Sequence, residues 1–256
     1  MIPATFVGMA LAIGSLVATM LLEGTSPLSI VLLPPLLLVF GATLGAAVAG
    51  STTADVRRFG SWFRMAFAAE RPSTTGSLVA QLVELATLAR KEGMLPLENR
   101  ARRVEDPFLR RGLQLAIDAV PVEQLRRVLD REIAATRDDD LVAARFFSKM
   151  GGYAPTVGII GTVVGLVQVL KSLEDPQLLG PLVAGAFVAT LWGVLSANFI
   201  WLPMSAKIRR NADLRRAQME LIVEGICEIL AGTNPRALRE KLRAMLPPSE
   251  VRLNAA

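Results

Sequence analysis

Two threonines are the residues best placed to do chemistry in this chain. Thr162 lies in GGYAPTVGIIGTVVGLVQVL (151–170) and Thr190 in GAFVATLWGVLSANFIWLP (185–203), and neither segment carries a charge. A threonine hydroxyl both donates and accepts, so in an apolar segment it can hold water or help strip an ion's hydration shell. The competing role is a bond back to the carbonyl four residues earlier, Gly158 for Thr162 and Ala186 for Thr190. Pro155 and Pro203 stand in the same two segments. Each removes one helix hydrogen bond, freeing the Gly151 and Phe199 carbonyls respectively, and is either a static kink or a hinge. Arg90, Lys91 and Glu98 form a third set, in LARKEGMLPLE (88–98). Such charges either solvate a surface or meet a partner.

Other chemistries are excluded by composition. The chain has no His and one Cys, Cys227, which removes metal clusters, disulfides and Ser/His/Asp or Cys/His nucleophile systems. An enzyme is not expected. No Asp, Glu, Lys, Arg or His lies inside any expected span, the third being counted from where it enters the bilayer. A chain of this kind cannot run a carboxylate proton relay alone, so the titrating group must come from a partner.

The elements that position these residues are membrane helices. Of 256 residues 52% are hydrophobic, and the mean hydropathy is +0.44; both point to the membrane class. The 28 cationic residues concentrate in 51–150 and after 203, with only Lys171 elsewhere. That is the positive-inside pattern, not a nucleic-acid surface, and it makes both basic segments and both termini cytoplasmic. Residues 2–22 form a first span rather than a signal peptide, because no cationic region precedes them and a second span follows. A turn at 23–27 leads to the second span, 28–50, where Pro34 and Pro35 should kink the outer half and Gly41 and Gly45 suit close helix contact. The third span is 146–170 and the fourth 181–203, joined by a loop at 171–180. Gly185, Ala189, Gly193 and Ala197 give the fourth span one small-residue face. The expected organisation is a transmembrane hairpin (1–50), a helical domain (51–148), a second hairpin (149–203) and C-terminal helices (204–256). The fold class is an all-α integral membrane protein of four transmembrane helices.

Within 51–148 the apolar spacing predicts a helix over 78–93 with Gly93 as C-cap, and short pieces at 95–103 and from Asp106-Pro107 to about 118. A fourth helix covers 122–139, with Asp138, Asp139 and Asp140 as its solvated end. Helices at 219–230, ended by Gly232, and at 235–246 follow the cationic run Lys207, Arg209, Arg210, Arg215 and Arg216. Trp192 and Trp201 read as packing and interfacial aromatics.

Four stretches together resemble one family: LVFGATLGAAVAG, LARKEGMLPLE, APTVGIIGTVVGL and GAFVATLWGVLSANFIWLP. Their order and spacing are similar, over nearly the whole chain, to the MotA-like stators within the wider MotA/TolQ/ExbB group. The third-span segment speaks only for the group. The first hairpin and the ARKEG…LE stretch narrow it to stators. The resemblance implies a flagellar motor stator subunit that converts ion flow into torque, with no cofactor beyond the transported ion, H+ or Na+. Ala189 before Thr190 offers one hydroxyl fewer than a Thr-Thr pair, which favours protons. The resemblance further implies five copies around two copies of a single-span, cell-wall-anchored MotB-type partner, in the inner membrane, with the rotor protein FliG as target. It assigns Thr162 and Thr190 to the ion pathway, Pro155 and Pro203 to conformational coupling, and Arg90, Lys91 and Glu98 to rotor binding. Asn99, Arg100 and Ala101 stand where some relatives are acidic. The rival function is an ExbB- or TolQ-like energiser of transport; a non-conducting scaffold ranks below both.

Overall fold

The computed structural model describes residues 4–67 and 75–247; among them every regular element is helical. Helix α1 is Ala4–Leu22, followed by a 3-10 turn at Pro27–Ile30, and α2 is Leu33–Ala49. Then come α3 (Thr53–Arg57), α4 (Phe59–Phe67), α5 (Thr75–Glu92), α6 (Leu97–Ala101), α7 (Pro107–Ile117), α8 (Val122–Lys171) and α9 (Pro176–Ser196). A π-turn, Ala197–Trp201, carries α9 into α10 (Leu202–Leu230), and α11 is Pro235–Ala244. Segments of α1, α8 and the continuous Pro176–Leu230 helix are long and apolar enough to cross a membrane. Helix α2 is apolar but has 17 residues, about 25 Å at the helical rise.

Four expectations change. Pro34 and Pro35 do not kink a helix; they stand in the first turn of α2, where the missing N–H groups cost nothing, and the 3-10 turn at Pro27–Ile30 precedes them. The expected helices at 122–139 and 146–170 are one helix of 50 residues. No Gly or Pro falls between 122 and 150 to stop it, so the three aspartates lie mid-helix rather than at an end. Helix α9 begins at Pro176 instead of Pro181: Asp175 caps it by accepting from the Gln177 N–H, and Pro181 lies inside. Helices α3 and α4 occupy a stretch that the sequence reading left without helices. Helix α3 opens with a capping box between Thr52 and Asp55.

The chain divides into two units, residues 1–70 with 140–210 and residues 71–139 with 211–256. The first contains α1–α4, α9 and the second part of α8. Its aromatic cluster joins Phe59, Trp62, Phe146 and Phe147, and Trp201 stacks on Phe147 with an 8° angle between the rings. Lys149 donates to the Gly50 carbonyl at 3.0 Å, closing the C-terminus of α2 with the charge that the helix dipole favours there. Ser205 donates to the Ala144 carbonyl at 2.7 Å.

The second unit has a leucine-rich core that includes Leu82, Leu97, Leu109, Leu113, Leu125, Leu129, Ile226, Leu238 and Leu242. Its helix ends follow the sequence signals. Asp106 accepts from the Phe108 and Leu109 N–H groups to start α7, Asn234 starts α11, and Gly93 ends α5 at φ +85°. Arg126 and Lys241 converge on Glu224, and Lys241 also reaches Glu228. Hydrogen bonds from Lys241 and then Arg126 hold the Glu224 carboxyl below its ordinary pKa. Lys241 and Thr233 do the same for Glu228.

Candidate functional site

Helices α8 and α9 meet backbone to backbone. A Cβ added at Gly158 would stand 3.0 Å from the Ala189 carbonyl oxygen and 3.1 Å from the Thr190 Cα. At Gly161 it would meet the Ala189 Cβ at 2.6 Å, and at Gly165 the Ala186 Cβ at 2.6 Å. The contact face of α9 therefore includes Ala186, Ala189 and Gly193. Gly185, expected on that face, has only Leu32 within reach, at 3.9 Å. At Gly41 and Gly45, expected to make a close contact, an added Cβ would meet nothing within 4 Å among the described residues.

This close approach puts Thr162 and Thr190 together. Their hydroxyls hydrogen-bond to each other. Thr162 Oγ1 also lies 3.2 Å from its own helix's Gly158 carbonyl oxygen and 3.2 Å from that of Ala186 across the interface. Thr190 Oγ1 reaches the Gly158 oxygen, again at 3.2 Å. Thr162 thus makes the bond back to its own helix and a crossed one besides, whereas the bond found for Thr190 is the crossed one. Two hydroxyl protons serve four contacts, so only two can be made at once and the pattern can switch by hydroxyl rotation.

The prolines differ from each other. Helix α8 runs on through Pro155. Pro203 follows the π-turn, in which the Leu202 N–H bonds back to the Ala197 carbonyl. The wider turn takes up the register change that a proline demands, so this end of the fourth apolar segment is a π-bulge rather than a simple kink.

Arg90 and Lys91 occupy the exposed last turn of α5, with no ion pair among the described residues. Beyond the Gly93 turn, Leu95 is 78% exposed. Glu98, half-buried in α6, pairs with Arg102 at 2.8 Å. Sequence reasoning missed this internal partner, although i,i+4 spacing carries it.

Two further polar groups of the first unit were missed. Trp192 is more than a packing residue: its Nε1–H donates to the Ile30 carbonyl at 2.7 Å, satisfying the backbone at the end of the 3-10 turn. Thr43 is wholly buried on α2, and its hydroxyl has no partner among the described residues. The signal for burial was its place in the stripe Val39, Thr43, Ala47, four apart on one helix face.

Helices that can cross a bilayer, two of them pressed together around a pair of hydroxyls and shared carbonyls, together with a separate unit cored like a water-soluble protein, define a membrane-embedded channel subunit. The comparisons agree. The family model of the MotA/TolQ/ExbB proton channel family matches residues 100–221. "Motility protein A" of Bacillus subtilis is 31% identical over 246 residues, covering 96% of this chain and 91% of that protein. The structure of C. jejuni MotAB superposes with a TM-score of 0.91 at 28% identity, covering 96% of each chain. The flagellar MotAB stator complex of Bacillus subtilis gives 0.90 at 32% identity, covering 98% of each. The chain belongs to the MotA/TolQ/ExbB proton channel family, on its motility-protein branch. Its function is that of an ion-channel subunit of the flagellar stator, a role that is not enzymatic.

Proposed function

We propose that Thr162 and Thr190 line the path of the stator's ion, and that the carboxylate the ion titrates or visits belongs to a MotB-type single-span subunit anchored in the cell wall. The hydroxyl–carbonyl cluster carries this reading, because it offers exchangeable hydrogen bonds in a segment with no ionisable side chain. The chain crosses the inner membrane four times, α2 being the shortest span, with both termini and residues 51–148 cytoplasmic. Five copies surround two partner subunits. The exposed apolar side of α8, including Ile159, Ile160, Val163 and Val164, supports a role against lipid or neighbouring subunits. Pro155 and the π-turn with Pro203 transmit the ion's passage to the cytoplasmic unit. Arg90 and Glu98, with Lys91, meet the rotor protein FliG.

On sequence grounds the ion is H+, since Ala189 leaves Thr190 without a hydroxyl neighbour along its own helix. Thr162 supplies that neighbour from α8, and an all-oxygen cluster is also the ligand type a hard cation takes, so sodium is the second reading. Swimming speed in sodium-free medium separates the two.

The test of the path is hydroxyl chemistry against shape. Thr162→Ser should keep partial ion flux through the complex with its partner and partial motility, whereas Thr162→Val should lose both. Packing predicts the opposite order, since Val matches Thr in shape and Ser leaves a methyl-sized gap costing about 1 kcal/mol. Wild-type flux in Thr162→Val, at matched membrane levels, removes Thr162 from the path.

A further inference from the structure

Helix α4 has two unlike faces. Trp62 and Ala66 are fully buried, and Trp62 packs on Phe146. On the other side Phe63 is 40% exposed. Its ring touches Phe59 at 6.3 Å and Phe67 at 5.1 Å between centroids, an aromatic ladder at i, i+4 and i+8. Beside it, Ser61, Phe63, Arg64, Met65 and Phe67 line a shallow hollow of about 730 Å³. Arg64 and Arg57 are exposed and have no acidic partner among the described residues. Arg58 is engaged differently, with its guanidinium 5.8 Å from the Trp62 ring centre.

The position of α4 gives these features meaning. It begins soon after the apolar α2 ends at Ala49 and packs against α1. Helix α1 exposes Phe6, Val7 and Leu11, a surface continuous in character with lipid. A short helix that buries one face on membrane helices and turns aromatic rings plus arginines outward has the composition of an interfacial element. In an element of that kind the rings enter the acyl boundary while the arginine stems snorkel to the phosphate level. A protein partner would also cover the rings, but the exposed cations beside them, without an acidic partner among the described residues, match the anionic head groups of a membrane surface.

We infer that the outer face of α4 is a binding site for an anionic phospholipid, with Arg64 and Arg57 on the phosphate and Phe63 against the first acyl carbons. The test uses the full-length chain with its membrane partner in nanodiscs of phosphatidylglycerol and phosphatidylcholine. Native mass spectrometry counts the lipid retained after detergent extraction. Each arginine near a membrane surface contributes about 1 kcal/mol, so Arg57→Gln with Arg64→Gln should reduce the preference for phosphatidylglycerol by a factor of roughly 5 per residue. Arg64→Lys should keep it, since the charge remains. Phe63→Ser should lower retention although no charge has changed. All these side chains are exposed, and unchanged helicity checks the fold. Wild-type retention in the double arginine variant overturns the site. Wild-type retention in Phe63→Ser overturns it as well, because the aromatic face would then take no part in holding the lipid.

Discussion

In the first unit, a Cβ added at Gly193 would come 2.6 Å from the Ala154 carbonyl oxygen and 3.0 Å from the Gly158 Cα, both backbone atoms of the facing helix. In the second unit, the same addition at Gly225 would meet the Leu82 Cδ1 at 2.7 Å, and at Gly112 the Ile226 Cδ1 at 2.4 Å, both ends of flexible side chains. The difference follows from the solvent. Lipid tails are as apolar as leucine, so helices in a membrane gain little by burying large side chains and associate by close backbone approach. In water, removing leucine side chains from solvent is itself the driving force. The first kind of contact leaves no room to adjust, and it brings the Thr162 and Thr190 hydroxyls within hydrogen-bond reach of carbonyls on the facing helix.

The largest effect should come from Gly193→Ala. Its methyl must push α9 off α8, costing about 3 kcal/mol as severe overpacking does, and it separates Thr190 from Gly158. Motility should be lost and the thermal midpoint of the purified complex should fall. Near-wild-type swimming would mean that the two helices can yield, and the contrast between the units would fail.

Much of this contrast was legible in the sequence. The glycines of the third apolar segment, the small residues of the fourth and the hydroxyls between them could be read from spacing alone. So could the ends of the soluble helices, because Asp106-Pro107, Gly93 and Gly232 act through local backbone geometry. What escaped depended on partners distant in sequence. Thr190 bonds a carbonyl 32 residues away, and Trp192 one 162 residues away. One position of the α9 face changed, from Gly185 to Ala186, while Ala189 and Gly193 stayed, because small residues line both choices and only the docking of α8 selects between them. The π-turn was hidden for a related reason: Pro203 announces a disturbance but not how the helix absorbs it. Helix α4 was missed because nine residues with Gly60 among them gave too short a periodic run.

A second prediction tests the charges of the soluble unit. Glu224 is held by Lys241 and Arg126, and its folded pKa is lowered. A carboxyl depressed in this way contributes stability that is present above its unfolded pKa, about 4.3, and is lost as pH falls through the folded value. Glu224→Gln should therefore loosen the second unit at neutral pH and make little difference in strong acid, where the wild-type carboxyl is protonated too. Cys227, the single cysteine and buried beside this network, reports the opening. Its labelling by a disulfide reagent that remains active in acid should be faster in the variant at pH 7, with the two rates converging only as pH falls below the usual carboxylate range, through the lowered folded value. A constant ratio across that range would remove the ion-pair account.

Gly225→Ala should do much less than Gly193→Ala. The added methyl gains about 1 kcal/mol of helix propensity and must move the Leu82 isobutyl group, whose Cδ1, Cδ2 and Cγ would lie 2.7, 2.9 and 3.2 Å away, a side chain and not a backbone, so the two terms partly offset. Labelling of Cys227 should stay within roughly fivefold of wild type. A loss as large as that of Gly193→Ala would show the second unit to be as unyielding as the first.

The smallest effect is expected at Ala119. Helix α7 ends there in a turn whose Val120 N–H reaches the Leu115 carbonyl at 3.2 Å and whose Ala119 N–H reaches that of Ala116. The end of α10 is built identically: Thr233 reaches Glu228, and Gly232 reaches Ile229. At Gly232 the left-handed conformation, φ +70°, falls on a glycine; at position 119, with φ +55°, it falls on an alanine. A Cβ in that region costs about 1–2 kcal/mol. Glycine removes this cost but gives back part of it, about 0.5–1 kcal/mol, through the greater freedom of the unfolded chain. Ala119→Gly should thus stabilise the second unit by somewhat under 1 kcal/mol, slowing Cys227 labelling up to severalfold and leaving ion flux unchanged. Faster labelling would mean that the turn is held by contacts of the Ala119 methyl and not merely tolerated by the backbone.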